Sequence, residues 1–327
     1  MSSWTNRQIA RKRDISKIPI ELLPNIIPRN QQPQIILSES FQHKDTNEII
    51  YPSPASLVAG HISKQYNTHY SIQKIDTVSS LSKELQYKNK SYVFVILRTI
   101  NSIKDNDLWI TAYNSIRKFY TNRIVIIDDD SLINTVNGKL ANTDIIMSDF
   151  NGAGTILPYY YFLKNKWADK MIFLHDNMFI NRPFKDTELD APVAFHWQNN
   201  TQIKDEKKFL TYLSLLRNYT EIIEHFHTDS SWKGCFGGAS IIDFEIIQQL
   251  ETKYSLFSSL LASLRNKNDR DAFGFVFGLI LHFEKASHSN FGNILHYPNA
   301  FESHTIDTAN ILLTQSKYDT AIMTVWR

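Results

Sequence analysis

Four short runs of mainly apolar residues, spread between positions 92 and 174, constrain the fold of this chain more than any other feature. Each run is too short for a packed helix, and its composition is typical of a strand that is buried on both faces. Because segments of helical character separate the runs, the sequence predicts an α/β fold with a mostly parallel, twisted sheet flanked by helices. The predicted strands are Tyr92–Leu97, Ile124–Ile127, Thr143–Met147 and Lys170–Leu174.

The segments around these strands carry helix and turn signals. A helix is predicted after the first strand, where Asp105 or Asp107 would cap it, and a second one between Gly152 and Trp167, where Pro158 is tolerated near a first turn. The remaining predicted elements are a short helix at Thr77–Tyr87, a strand at Ala191–Trp197, and helices at Phe209–His225, Phe244–Tyr254, Phe257–Leu264 and Asp269–Phe283.

The strand pattern begins only near residue 91, and the region before it differs in character. The first part of the chain is polar and basic, and its repeated prolines interrupt any helix, so we expect an extended arm there. We therefore predict an N-terminal extension over residues 1–90, a main domain over residues 91–310 and a C-terminal tail over residues 311–327.

Composition excludes several classes of protein. A formal net charge of +2 does not favour binding to nucleic acid through a basic surface. The single cysteine, Cys235, excludes internal disulfides and cysteine-based zinc clusters. No apolar run reaches membrane-spanning length, and the N-terminus lacks the apolar segment of a signal peptide. We therefore expect a soluble, cytoplasmic protein with no membrane span.

Acidic residues follow two of the predicted strands directly. Asp128, Asp129 and Asp130 end the second strand, and Asp176 ends the fourth. Because ligands of open α/β sheets bind at the carboxyl ends of the strands, these carboxylates predict a site for a cation, or for a sugar or nucleoside hydroxyl. The alternative is that each aspartate only ends a strand and starts a turn.

The string VIIDDDS resembles the strand-end Val-Asp-Asp-Gly-Ser pattern of GT-A-fold glycosyltransferases, especially family 2-like enzymes. The resemblance implies that Asp128 and Asp129 contact the base and ribose of a nucleotide-sugar, with Asp130 standing where glycine is usual. It also implies main-chain contacts to the base from the end of the first strand, at Arg98 and Thr99. The chain is similar as well to glycosyltransferase-like proteins of large DNA viruses. Residues 91–310 would then be a GT-A-like catalytic domain.

The string KMIFLHDNMFIN stands where GT-A enzymes carry an Asp-x-Asp motif. That motif holds Mn²⁺ or Mg²⁺ against the donor diphosphate. Here His175 and Asn177 flank Asp176, so only one carboxylate is present. The resemblance implies donor binding by His175 and Asp176 and a metal held by Asp176 and Asn177, with His304 as a later ligand. Since histidine beside a single carboxylate suits Mn²⁺ better than Mg²⁺, we expect Mn²⁺.

The acceptor side is predicted from two further strings. KGCFGGASIIDF resembles a glycine-rich turn close to the sugar and acceptor in family members, which implies roles there for Gly237 and Gly238 and for the nearby Trp197. NKNDRDAF stands where inverting relatives place the general base, which implies Asp271 or Asp269. Both aspartates could equally be helix-capping residues, and the glycines a turn that the fold requires.

These resemblances together predict an inverting enzyme of the hexosyltransferase type. It would transfer a sugar from a nucleoside diphosphate sugar, with a UDP-sugar favoured, to a hydroxyl of a glycan or protein acceptor. A nucleotidyltransferase is disfavoured, because that class has a glycine-rich loop after its first strand and the string LRTINSIKDND here contains no glycine. A dinucleotide-binding dehydrogenase is disfavoured because no G-x-G-x-x-G follows a strand. The incomplete Asp-x-Asp motif leaves open a glycosyltransferase-like protein that has lost catalysis and binds a sugar or a partner.

Overall fold

The computed structural model describes the greater part of the predicted main domain. The described residues are 78–132, 135–137, 140–196, 198–199, 203, 205–235, 237–264, 267–286, 288–290 and 320–324, together with the strands at 35–37 and 48–50. The predicted extended arm therefore lies almost wholly outside the described residues, as do Trp197 and His304.

A nine-stranded sheet forms the centre of the described structure. Its four central strands are β4 (Lys90–Arg98), β5 (Ile124–Asp128), β7 (Thr143–Met147) and β8 (Lys170–His175), and all four are parallel. The outer strands are β1 (Ile35–Leu37), β3 (Gln86–Tyr87), β10 (Val193–Phe195), β13 (Ser240–Asp243) and β14 (His288–Asn290). The other strands in the described residues form three two-stranded sheets, which pair β2 (Glu48–Ile50) with β6 (Thr135–Asn137), β9 (Met178–Ile180) with β15 (Ile322–Thr324), and β11 (Gln198–Asn199) with β12 (Gly234–Cys235). The predicted mostly parallel sheet is thus confirmed, with its four central strands each within two residues of the expected bounds.

The order of the central strands creates a crevice. Along the sheet the order is β1-β7-β5-β4-β8-β13-β10-β14, so the chain moves outward from β4 through β5 to β7 and then returns to add β8 on the other side of β4. Strand order therefore reverses between β4 and β8, which is where open α/β sheets bind ligands. Beyond β8 the sheet departs from a fully parallel arrangement, because β13 runs antiparallel to both β8 and β10.

Both faces of the sheet are covered, which explains why the central strands are continuously apolar. On one face Val93, Val95 and Phe173 belong to a core formed with the helices that follow β7. On the other face Phe94 and Ile126 pack against the helix that follows β4. The alternation of neighbouring residues between the two cores is the period-2 pattern of a strand.

The helices follow the predictions with three exceptions. They are α1 (Ile103–Arg117), α2 (Leu157–Asn165), α3 (Asp186–Leu189), α4 (Glu206–Leu213), α5 (Tyr219–Thr228), α6 (Phe244–Tyr254), α7 (Leu256–Leu261) and α8 (Lys267–Phe283). The first exception is that the short helix α3 was not predicted. The single helix predicted at Phe209–His225 is wrong, because the chain breaks after α4 and Asn218 adopts a left-handed φ of 53°. The helix predicted at Thr77–Tyr87 is also wrong: residues 78–87 form bends and strand β3, which makes a tight hairpin with β4.

The first helix is capped differently from the prediction. The side chain of Ser102, rather than an aspartate, caps α1, and its hydroxyl accepts a hydrogen bond from the Asp105 amide at 3.3 Å. Asp105 lies in the first turn, where a carboxylate favours the positive end of the helix dipole. None of the helices in the described part of the chain is long and apolar enough to cross a bilayer.

Candidate functional site

The crevice between β4 and β8 is lined by two of the predicted residues. The Asp176 amide donates to the Leu97 carbonyl at 3.0 Å, and the Thr99 amide donates back to Oδ2 of Asp176 at 3.1 Å. These two bonds hold the Asp176 side chain, which is buried, across the carboxyl ends of the two strands. Asp176 and Thr99 therefore lie together, as expected, where the strand order reverses.

Asp128 has a different environment from the predicted one. Its Oδ2 accepts from Nε of Arg98 at 2.8 Å, and both side chains are fully buried. Its Oδ1 accepts from the Ser131 amide at 2.9 Å. Because both oxygens have partners within the protein and neither is reached by solvent, Asp128 and Arg98 tie β5 to β4 in this structure, and we do not assign Asp128 a contact to a base.

Asp129, the next residue, is held by backbone amides. Its two oxygens accept from the Gly152 amide at 2.7 Å and from the Gly154 amide at 3.0 Å. Burial raises the pKa of Asp129 to about 6, against the opposing effect of the two amides and of Arg270. A carboxyl that titrates near neutral pH at the carboxyl edge of a sheet has the properties of a functional group.

Arg270 joins this cluster from the start of α8. Its side chain passes directly over Gly154, in the space that a Cβ atom would need, and the positive φ of 61° at Gly154 also favours glycine. Its charge lowers the pKa of Asp129, so the guanidinium lies close to that carboxylate. One cationic group is thus brought to the carboxyl edge by a helix more than 100 residues downstream of β5 in the sequence.

The predicted glycine turn also reaches this edge. Nε2 of His175 lies 2.5 Å from the Gly237 carbonyl oxygen. Since a carbonyl only accepts, Nε2 carries the proton and does not act as a metal ligand in this arrangement. The next residue, Gly238, has a φ of 66° and approaches the methyl group of Thr155 so closely that a Cβ would not fit. The turn thus contacts the end of β8 through Gly237 and the segment just before α2 through Gly238.

Of the two candidate bases at the start of α8, Asp269 contacts a neighbouring helix. Asp269 is buried and its Oδ1 accepts from the Tyr212 hydroxyl at 2.8 Å and from Nζ of Lys208 at 2.6 Å. Burial and this carboxylate raise the pKa of Tyr212 well above its ordinary value. Asp269 thus links α8 to α4, while the backbone of Asp271 lies in the first turns of α8.

Two residues at the sheet edge have side chains of types that bind hard metal ions. The Asp176 carboxylate and the Asn177 amide oxygen are the hard ligands that Mg²⁺ and Mn²⁺ accept, and such ions are often held by one or two carboxylates together with substrate phosphates. Within the described residues, a group of three histidine and acidic side chains that could hold a metal occurs elsewhere, at His225, Asp229 and His282.

Several members of the cluster were not predicted from sequence. This edge also holds the amides of Gly152 and Gly154 and the side chain of Thr155. The Tyr159 hydroxyl lies there too: it donates to the Gly238 carbonyl and lies 3.0 Å from Oγ of Ser240. The glycines at 152 and 154, directly after a strand-and-turn segment, were the available signal.

Comparison with known proteins adds no family to this description. No protein-family model matches the chain, and no curated protein matches it either.

Proposed function

We propose that this protein is a glycosyltransferase that takes a sugar from a nucleoside diphosphate sugar, with a UDP-sugar as the favoured donor. The observation that carries the proposal is that four polar side chains and two glycine turns share the carboxyl edge of the sheet, next to the crevice between β4 and β8. Asp129 and Arg270 lie beside the end of β5, and His175 and Asp176 lie at the end of β8. A crevice at this position suits a nucleotide. The carboxylates suit the hydroxyls of the nucleotide, and the cationic side chain suits its phosphates. The glycine turns let the backbone approach the attached sugar.

The donor diphosphate would lie against Arg270. A guanidinium is planar and permanently charged, so it binds phosphate oxygens in pairs and keeps its charge as the diphosphate leaves. Asp129 lies close enough to Arg270 for the two charges to interact, and its carboxylate is held by the amides of Gly152 and Gly154.

A Mn²⁺ or Mg²⁺ ion held by Asp176 and Asn177 would offset the remaining charge of the diphosphate. The Thr99 amide orients the Asp176 carboxylate toward the crevice. His175 acts on the sugar side, because its ring is fixed by the Gly237 carbonyl and its neighbour Asp176 faces the strand junction.

Transfer would proceed by single displacement with inversion. The acceptor hydroxyl attacks the anomeric carbon as a base removes its proton, and the bond to the diphosphate oxygen breaks. Asp271 is the preferred base, because Asp269 is already held by Tyr212 and Lys208. General-base assistance of this kind is worth about a hundred- to ten-thousand-fold in rate.

The direct test is release of UDP or GDP from a panel of nucleotide-sugars by the purified full-length chain, with Mn²⁺ and with a chelator. We expect release with at least one donor, and a loss of about a hundredfold or more in Arg270→Gln, which removes charge stabilisation of the leaving group. Asp176→Asn should lose the response to Mn²⁺. Arg217→Gln, at an exposed arginine, serves as the matched control and should behave as the wild type.

A second candidate is a glycosyltransferase-like protein that binds a sugar nucleotide without transferring the sugar. It is favoured by the engagement of Asp128 with Arg98 and of Asp269 with Tyr212 and Lys208, which removes two of the expected functional carboxylates. Nucleotide binding without release of UDP or GDP from any donor would favour this candidate. If the protein neither binds a nucleotide nor releases one from a donor, both candidate functions are contradicted.

A further inference from the structure

A second cluster of ligating side chains lies away from the sheet edge, at the far ends of α5 and α8. It consists of His225 in the last turn of α5, Asp229 directly after that helix, and His282 in the last turn of α8. One ligand atom from each residue lies within 4.8 Å of the others. From Arg270 to His282 the helix rises about 18 Å, so this cluster is separate from the proposed donor site.

The three side chains are already arranged around a common point. Oδ2 of Asp229 lies 2.9 Å from Nε2 of His282 and 3.8 Å from Nε2 of His225. Two ligands of a tetrahedral metal, each at about 2.0 Å from it, are separated by about 3.3 Å. Small rotations of the side chains would therefore bring all three atoms to metal-binding distances.

The carboxylate is held in place from its other side. Oδ1 of Asp229 accepts from the amide of Ser231 at 2.8 Å and from its hydroxyl at 2.6 Å, so Oδ2 is turned toward the two histidines. Oriented carboxylates of this kind are typical of metal sites.

His225 provides the independent observation that points to a ligand. Its Nε2 is buried from solvent and has no hydrogen-bond partner, although the ring is packed against His282 and Phe283. A buried polar nitrogen without a partner is unfavourable, and it is aimed at the side chains of Asp229 and His282. A bound cation would satisfy this nitrogen and replace the bond between His282 and Asp229.

We propose that His225, Asp229 and His282 bind a divalent transition-metal ion, with Zn²⁺ as the expected occupant, that links the end of α5 to the end of α8. Two imidazoles and one carboxylate are the ligand types that Zn²⁺ prefers, and a water molecule would complete the tetrahedron. Asp229 directly follows α5, and its Oδ2 lies near both Nε2 of His225 on α5 and Nε2 of His282 on α8, so it joins the two helix ends.

Titration of Zn²⁺ into the full-length, tag-free chain, followed by calorimetry and by thermal unfolding, tests this site. We expect a stoichiometric site in the wild type that raises the unfolding temperature and is reversed by a chelator. His282→Gln and Asp229→Asn should each weaken binding at least tenfold and abolish the rise. His227→Gln removes an exposed histidine of the same helix and should leave both measurements unchanged.

Two further variants control for misfolding and for metal binding at the sheet edge. If His282→Gln fails to give the circular dichroism of the wild type, Asp229→Asn carries the test, because it keeps the size and shape of the side chain. Asp176→Asn should retain the Zn²⁺ site, which separates it from the metal proposed at the sheet edge. Absence of stoichiometric binding in the wild type, equal binding by the ligand variants, or an equal loss in His227→Gln would each overturn the proposal.

Discussion

The two edges of the central sheet use buried charge in opposite ways. At the amino edge, Lys170 is buried and lies 3.3 Å from Oδ1 of Asp243, which also pairs with Lys90. The buried guanidinium of Arg117 donates to the carbonyls of Tyr120, Asn122, Ala141 and Asn142. Each buried cation there faces several acceptors that belong to strand ends and connecting turns.

At the carboxyl edge, backbone amides contact two of the carboxylates. Arg98 and Asp128 pair with each other, Asp129 accepts from the amides of Gly152 and Gly154, and Asp176 accepts from the amide of Thr99. Burial raises the pKa of Asp129. The buried cations of the amino edge contact acceptors from several strand ends, which stabilises the sheet. The proposed ligand site lies at the other edge, where Asp129 and Asp176 accept from backbone amides.

The largest effect on stability should follow from removing the buried ion pair at the amino edge. Asp243→Asn leaves Lys170 buried without its counter-ion, so we expect a loss of about 4 kcal/mol in the free energy of unfolding, measured by denaturant titration. Asp190→Asn breaks the exposed pair with Lys88 and should lose less than about 1 kcal/mol. Equal losses in the two variants would contradict a stabilising role for the amino edge.

A somewhat smaller effect is expected at Asp129, and it depends on pH. Because its folded pKa of about 6 lies above the ordinary value of 3.8, protonation stabilises the fold. That stabilisation is complete below the ordinary value and is lost as pH rises through the folded pKa. Relative to Asp129→Asn, the wild type should lose about 2 kcal/mol in its free energy of unfolding between pH of about 4 and about 7.

The measurement is a pair of denaturant titrations of both proteins at those two pH values. The difference between the two proteins isolates Asp129 from the other carboxylates of the chain. A difference that stays constant with pH would show that Asp129 titrates normally, and the contrast between the two edges would lose its main electrostatic support.

The smallest effect is expected at the glycine turn. Gly237 has a φ of 66°, so Gly237→Ala should lose about 1 kcal/mol of stability and displace the carbonyl that fixes His175. Gly237→Asn should recover part of the loss, since asparagine tolerates the left-handed conformation better. An alanine variant as stable as the wild type would show that this turn is not constrained by its backbone.

The sequence predicted the sheet well because its signal is local. Central strands covered on both faces are continuously apolar, and the polar residue that ends each run, such as Asp128 or His175, marks the strand end directly. The break after α4 was missed because Phe209–His225 keeps a helical apolar spacing, while the left-handed Asn218 depends on packing against α6.

The site was predicted only in part, for a physical reason. Sequence identifies carboxylates at strand ends but not their partners, so it did not distinguish Asp128, which Arg98 neutralises, from Asp129, which two glycine amides hold. The approach of Arg270 to Gly154 and the pairing of Asp269 with Lys208 join residues far apart in the sequence. Such contacts are set by tertiary packing, which no local pattern specifies.

The most direct test of a ligand site at the carboxyl edge is calorimetric titration of UDP and GDP, in the presence of Mn²⁺, into the wild type, Arg270→Gln and Asp243→Asn. Losing charge-assisted hydrogen bonds should weaken binding by about ten- to a hundredfold in Arg270→Gln. Asp243→Asn, studied at a temperature where it is folded, should bind as the wild type does. No binding of either nucleotide by the wild type, or an unchanged affinity in Arg270→Gln, would contradict the account.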